Sequence, residues 1–284
     1  MAAQIPLETG HTCMNHFLLL DLRGAAFLTD MQLADIAEKV CSAALADDLL
    51  VIDDSEQADV RLRIFGGDRR EADFCGNGMI YTAAKIGAEL QRDDITIESA
   101  AGIKRATRQD SQWQVEVGPA IKLEEDLRVI QTSFLENNHV YGLLRAGEPH
   151  LVLYRPNVFP GFHINRKDFE VFCRPLRDIT AIDGGISITV VFQVEFRSVL
   201  IRTFERGVRR QTYSCGTGSV SATAAVFNTP QNGTAFHVCA PGGMHDVLYD
   251  NDRWYINATP QRIASGYLED GIMHFPFDGL FSYQ

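Results

Sequence analysis

Residues 73–84 read DFCGNGMIYTAA, and residues 214–225 read SCGTGSVSATAA. Each segment sets a cysteine directly before a Gly-x-Gly, at the mouth of an apolar run rich in small residues. Cys75-Gly76 and Cys215-Gly216 lie 140 residues apart. Gly102, in SAAGIK, and Gly243, in APGGMH, lie 141 apart, as do Trp113 and Trp254, the only two tryptophans. HFLLLD at His16 resembles HLVLYR at His150, at an offset of 134. Landmarks that keep one order and nearly one offset mark a duplication. The chain must therefore fold as two similar halves.

Both halves follow one grammar. An apolar strand (FLLLD; HLVLY) precedes a helix (TDMQLADIAEKV; NRKDFEVFCRPL), then strands, then the Cys-Gly segment, then strands again. Thr29 or Asp30 is placed to cap the first helix, and Leu33, Ile36 and Val40 give it an apolar stripe. ITIES, QWQVEV, AFHVCA and RWYINA alternate apolar and polar residues, as half-buried strands do. The pattern predicts an α+β protein with mixed, mostly antiparallel sheet and a boundary near Gly118-Pro119.

Apolar residues at 45% and charged residues at 22% describe an ordinary globular chain. Its net charge is −11, and no basic stripe interleaves with aromatics, which excludes a nucleic-acid partner. The N-terminus carries no basic leader, and its apolar run is four residues, Phe17 to Leu20. That is neither a signal peptide nor a membrane span. The six cysteines are irregularly spaced with no CxxC pair, so they read as reduced cytoplasmic thiols without a metal. Cys13, Cys41, Cys173 and Cys239 read as packing residues. These features leave a homodimer open.

The run after each cysteine is helical in character, and its small residues let it sit close to a surrounding sheet. Glycines let backbone amides approach a ligand without a Cβ in the way. The first amides of a helix lack partners and the dipole is positive there, so such a terminus binds carboxylates. The same field lowers the pKa of a thiol placed at it. Two such segments brought face to face would hold one carboxylate between two sulfurs. One sulfur, as thiolate, would take the proton from the adjacent carbon. The other, as thiol, would protonate the opposite face. The centre inverts with no cofactor, provided the amides stabilise the enolate-like charge.

These segments resemble the signature cysteines of the diaminopimelate epimerase family, amino-acid epimerases that work without pyridoxal phosphate. The likeness spans almost the whole chain: RIF at Arg63 to Phe65, ADFCGNG, EPHLVL around His150, RTFERG at Arg202 to Gly207, SCGTGS, and APGG at Ala240 to Gly243. It implies two pseudo-symmetric domains, residues 1–118 completed by 269–284, and residues 119–268. Each would be a rolled mixed sheet around a central helix, with the active site in the interdomain cleft. It implies Cys75 and Cys215 as the acid–base pair and His150 and Glu205 as the supporting pair near the reacting centre. Asn15 falls where the family has a substrate-contacting Asn. The backbone at Gly76, Asn77, Gly216 and Thr217 would cradle the carboxylate. Arg206 matches the arginine that grips the far end of diaminopimelate.

The departures cluster on the substrate side. Where the family reads RIFN this chain has Gly66, and where it reads GNPH this chain has Glu148. Ser187 stands where a third Asn is expected, and Asp48 where a Gln contacts substrate. The reaction machinery is kept while recognition is rewritten, and two of the changes add carboxylates. A pocket gaining Glu148 and Asp48 suits a cationic or hydrogen-bond-donating group better than a second carboxylate. The expectation is a racemase of one free amino acid with a basic or polar side chain, histidine first, then ornithine, lysine and arginine. Diaminopimelate epimerisation is the alternative, followed by a non-amino-acid isomerase on the same fold and by a non-catalytic amino-acid-binding protein.

Overall fold

The computed structural model describes residues 4–24, 27–43, 45–123, 139–154, 165–178 and 182–275. The first half runs β1 (Ile5–Thr12), β2 (Asn15–Asp21), α1 (Asp30–Ser42), β3 (Asp48–Asp53), β4 (Val60–Gly66), α2 (Gly76–Leu90), β5 (Asp94–Ser99), β6 (Gly102–Gln109) and β7 (Gln112–Gly118). After β8 (Ile121–Lys122), the second runs β9 (His139–Ala146), β10 (Glu148–Tyr154), α3 (Arg166–Cys173), β11 (Ser187–Glu195), β12 (Ser198–Glu205) and β13 (Arg210–Thr212). It continues with α4 (Gly216–Phe227), β14 (Thr234–Ala240), β15 (Gly243–Asp250) and β16 (Arg253–Ala258). β17 (Pro260–Glu269) and β18 (Ile272–His274) follow.

The two halves pair their strands in the same order. In the first, β1 through β7 neighbour one another in sequence, with β2 parallel to β3 and β4 parallel to β5. In the second, β9, β10, β11, β12, β14, β15 and β16 do likewise, with β10 parallel to β11 and β12 parallel to β14. β7 pairs antiparallel with β16, which joins the halves. β8 adds to β9 and β17 adds to β1, so each half lends its last strand to the other. The chain therefore returns to the first half at Pro260, earlier than the expected 269, because β17 pairs with β1 from end to end. Residues 276–284 lie outside the described residues.

Each sheet has a helix on either face, and side-chain alternation along the strands sorts residues between them. Leu50 and Ile52 of β3 join the cluster that includes α2, while Leu49 and Val51 join the one under α1. That double burial is why DLLVID reads as a continuous apolar run. Val191 of β11 likewise packs toward α4, and Ile188, Val190 and Phe192 pack toward α3. Sequence legibility is best at α1, where Thr29 caps the helix and forms a capping box with Gln32. α2 and α4 are buried almost all round, with Ala and Gly in place of larger side chains. α2 packs against β1, β5, β6, β7 and β17, and α4 against β9, β10, β11, β12 and β15. Each half is thus a mixed sheet rolled around a central helix.

One repeat landmark needs correcting. Asp48 and Ser187 open β3 and β11, and Phe17 lies opposite Asp48 as His150 lies opposite Ser187. The counterpart of His150 is therefore Phe17, at an offset of 133, and not His16. The β1–β2 turn holds Cys13 and Met14, whereas the β9–β10 turn holds Gly147 alone. The extra residue shifts the offset by one, and one residue in a strand exchanges the two faces.

The core is continuous through both halves and includes Trp113, Val115, Trp254 and Ile256 around the β7–β16 seam. Ile256 is fully buried beneath the first turns of both central helices. A Cβ added to Gly76 would lie 3.5 Å from it, and one added to Gly216 would lie 2.8 Å from it. Ile256→Ala should lower stability by about 2–5 kcal/mol, read as an earlier midpoint in urea unfolding, with a matching loss of any activity that needs the two helices aligned.

Candidate active site

The interior face of each sheet runs out at the N-terminus of its central helix. Asn15, Asp48, Glu148 and Ser187 are the first residues of β2, β3, β10 and β11, and Glu205 is the last of β12. Asp48 has the parity of Leu50, and Ser187 that of Val191, so these strand ends face the helices rather than the outer layer.

The two cysteines are built alike. Cys75 caps α2 with φ −135° and ψ 108°, and Cys215 caps α4 with φ −138° and ψ 116°. Each sulfur accepts from the amide three residues on, Gly78 or Gly218, at 3.4 Å. The helix tips touch: a Cβ on Gly216 would sit 3.4 Å from both the Gly76 Cα and the Asn77 nitrogen. A side chain there would first press on Ile256, at 2.8 Å.

Cys75 and Cys215 line one cavity of about 60 Å³, with Asn15, Asp48, Gly76, Glu148, Ser187, Glu205, Arg206, Gly216 and Thr217. Two expected residues stand behind it. His150 is fully buried, with Nδ1 2.9 Å from Thr189 Oγ1 and Nε2 2.9 Å from Thr217 Oγ1. It reaches the sulfur only through Thr217, whose hydroxyl is 3.4 Å from the Cys215 sulfur. Asn77 turns its side chain away from the cavity, donating to Asn15 Oδ1 at 3.2 Å and Ser214 Oγ at 3.1 Å. Glu205 and Arg206 both line the cavity although adjacent, because β12 ends at Glu205 and strand alternation no longer applies.

The thiols do not behave as helix caps alone would dictate. Burial drives the pKa of both well above the ordinary range. Asp48 then Glu205 push Cys75 further, and Glu205 does the same to Cys215. The Gly78 and Gly218 amides pull the other way and lose. Desolvation outweighs the helix terminus, so both sulfurs rest as thiols. Burial raises Glu205 to about 7, against the hydrogen bonds it accepts from Thr212 and Cys215. Asp48 is also raised, by burial and then by Glu205 and Asp47. Burial lowers His150 to about 3, and Arg206 adds to the effect, so its imidazole is neutral. Among the described residues no group of His, Cys, Asp and Glu could hold a metal ion, and no helix is long and apolar enough to cross a membrane.

No protein-family model matches the chain. The diaminopimelate epimerase of Archaeoglobus fulgidus is 26% identical over 270 residues, covering 89% of this chain and 92% of that one. The diaminopimelate epimerase of Methanocella arvoryzae is 28% identical over 251 residues, covering 83% and 87%. The chain is similar to diaminopimelate epimerases over most of its length. It is an isomerase of the epimerase and racemase class. Solved structures share the fold. A hydroxyproline epimerase from Agrobacterium vitis superposes with a TM-score of 0.65 at 16% identity, covering 95% of each chain. A phenazine biosynthesis protein of the PhzF family from Enterococcus faecalis does so at 0.63 and 15%, covering 93% of this chain and 99% of that one.

Against the diaminopimelate epimerase family pattern, the departures sit together in space. Glu148 forms an ion pair with Arg206 inside the cavity. Ser187 Oγ accepts from the Arg206 backbone amide at 3.2 Å. Arg206 Nη1 also donates to the carbonyls of Asp183 and Gly185, each at 3.4 Å. Burial raises the Glu148 pKa, and Arg206 draws it partly back. The cavity wall holds three carboxylates, Asp48, Glu148 and Glu205, and a single guanidinium. Outside it opens a vestibule of about 600 Å³, where Asp68, Glu71, Asp73 and Asp183 outnumber Arg70 and Arg145. It shares Asp48, Arg206 and Gly207 with the inner cavity.

Sequence reading missed the residues that support these groups. Asp47, beside Asp48, accepts from Asn15 Nδ2 at 3.2 Å and from the His16 amide at 2.8 Å, and pairs with Arg210. The Asp-Asp pair was the available signal, but only register decides which of the two faces the cleft. Thr189 and His245 carry no motif and are found only through the side chains they touch.

The folded state holds a proton on Glu205 more tightly than the unfolded chain does. Its contribution to stability is full below pH about 4.5 and is lost as pH rises through about 7. Glu205→Gln should flatten that decline, by on the order of 1–3 kcal/mol across the window. Urea titrations of the two proteins at pH 5 and pH 8 check it.

Proposed function

We propose that this chain is a cofactor-independent racemase of one free amino acid with a basic or hydrogen-bond-donating side chain, histidine being the first candidate. Cys75 and Cys215 exchange the Cα proton. The first-turn amides at Gly76, Asn77, Gly216 and Thr217 take the α-carboxylate and, as the proton leaves, the enolate-like charge that spreads onto it. Glu205 accepts the thiol proton of Cys215, leaving a thiolate that removes the Cα proton. The Cys75 thiol then protonates the opposite face, and the proton held on Glu205 returns to the Cys75 thiolate, which restores both thiols and the carboxylate. In the reverse direction the sulfurs trade roles. A carboxyl group titrating near neutrality is matched to this duty. His150 acts through Thr217 and holds it beside the sulfur.

The observation that carries the substrate reading is the Glu148–Arg206 ion pair. An arginine free to grip a distal carboxylate would favour diaminopimelate, but here its charge is already answered from within the cavity. Asp48 and Glu205 on the same wall hold their protons more tightly than usual. A cation or an N–H donor favours their ionised forms and gains by it, whereas a second carboxylate meets only further acidic groups. The acidic vestibule draws the same class of ligand toward the opening.

A screen in deuterium oxide over the proteinogenic amino acids, ornithine and both diaminopimelate isomers tests the reading. Cα deuteration with loss of optical rotation is expected for histidine or another basic amino acid, and turnover of diaminopimelate alone would sink it. Cys75→Ala and Cys215→Ala should each lower racemisation at least about 10³-fold, since each removes one of the two proton carriers. Unchanged ligand affinity with no turnover in the unmutated protein would instead favour a binding protein. Glu148→Asn frees Arg206, and should raise the ratio of diaminopimelate to histidine turnover by about tenfold or more.

A further inference from the structure

His245, on β15, takes no part in the chemistry above, yet it is fully buried and both of its ring nitrogens are engaged. Nε2 lies 2.8 Å from Asn77 Oδ1, in the first turn of α2. Nδ1 lies 2.9 Å from Ser219 Oγ, in the first turn of α4. Ser219 Oγ is also 3.0 Å from the Cys215 carbonyl. One side chain therefore spans the tips of the two helices whose caps are the cysteines.

Hydrogen-bond directions on the Asn77 side of this link follow from Asp47. The Asp47 carboxylate, paired with Arg210, can only accept, so Asn15 presents Nδ2 to it and keeps Oδ1 for the interior. Asn15 Oδ1 accepts from Asn77 Nδ2 and stands 3.9 Å from the Cys75 sulfur. Asn77 is thereby left with Oδ1 toward His245, which must donate from Nε2. Nδ1 is then bare and faces the Ser219 hydroxyl, whose single proton lies between it and the Cys215 carbonyl. Burial holds this imidazole neutral, with a pKa of about 4, as a one-donor, one-acceptor link requires.

We infer that His245 is a positioning residue that sets the spacing between the two cysteine-bearing helix tips, acting through Asn77 and Asn15 on the Cys75 side and through Ser219 on the Cys215 side. The inference rests on the two-sulfur reading, in which both sulfurs must straddle one carbon. A displacement on the order of 1 Å at such a site costs up to about 10² in rate. Neither side of the link is interchangeable with an apolar contact, because removing the imidazole strands the buried Asn77 oxygen.

The test compares His245→Leu with His245→Gln, whose amide can still donate to Asn77. Alkylation of Cys75 and Cys215 by iodoacetamide, followed by mass spectrometry with Cys41 as internal reference, needs no substrate. In His245→Leu both rates should rise at least threefold relative to Cys41, as the loosened tips admit reagent, and His245→Gln should stay within twofold of the unmutated protein. With a substrate from the screen, His245→Leu should lose tenfold or more in kcat with KM within twofold, and His245→Gln should restore most of it. Unchanged alkylation and kcat in a His245→Leu protein that melts as a folded protein would overturn the proposal, as would equal defects in the Gln and Leu variants. Should no amino acid be racemised by the unmutated chain, the two-sulfur reading fails while the alkylation rates still decide whether His245 holds the tips.

Discussion

Everything at the site depends on two helix tips in van der Waals contact. Gly76 and Gly216 meet with only backbone between them, over the Ile256 side chain. Because a cysteine caps each helix in the same conformation, that contact puts two sulfurs at the wall of one small cavity. The antiparallel β7–β16 seam relates the halves, and the exchanged strands β8 and β17 tie each to the other. A Cβ at Gly216 would press on Ile256, at 2.8 Å, in the seam beneath both tips.

The second determinant is desolvation. A thiol at a helix terminus in water would be acidified by the amides it faces. Here the amides are present but burial and three carboxylates oppose them, and the balance leaves neutral thiols beside a carboxyl group that titrates near 7. In this state a proton moves from sulfur to oxygen only uphill, so a bound ligand has to supply the field that frees a thiolate. In the proposed reading, a ligand that brings a positive charge favours the ionised forms of Asp48 and Glu205. The Glu148–Arg206 pair makes that preference specific, since it neutralises the one cation on the wall.

A good part of this was legible in the residues. The paired Cys-Gly-x-Gly segments, the spacing of Trp113 and Trp254, and the alternation of the strands gave the two halves and their α+β class. The helix cap at Thr29 could be read because capping is a local interaction between residues three apart. The repeat was misread by one residue at His16. Sequence likeness matched histidine to histidine, whereas the hydrogen-bond register pairs His150 with the place held by Phe17. A turn longer by one residue is invisible to an offset count until the strands are paired. His150 itself was expected beside the reacting centre, and Thr217 stands between them.

The sequence by itself determined which elements form and which residues cap them, because those choices rest on contacts a few residues long. It also named the two sulfurs. Tertiary structure alone decided that Glu148 answers Arg206, that Asp47 holds Asn15, and that His245 links Asn77 to Ser219. Each of these joins residues far apart in the chain. Each also depends on which face of a strand is turned inward, which register fixes and composition does not. The protonation of the thiols was decided there too, since the dielectric around a sulfur is a property of the packed whole.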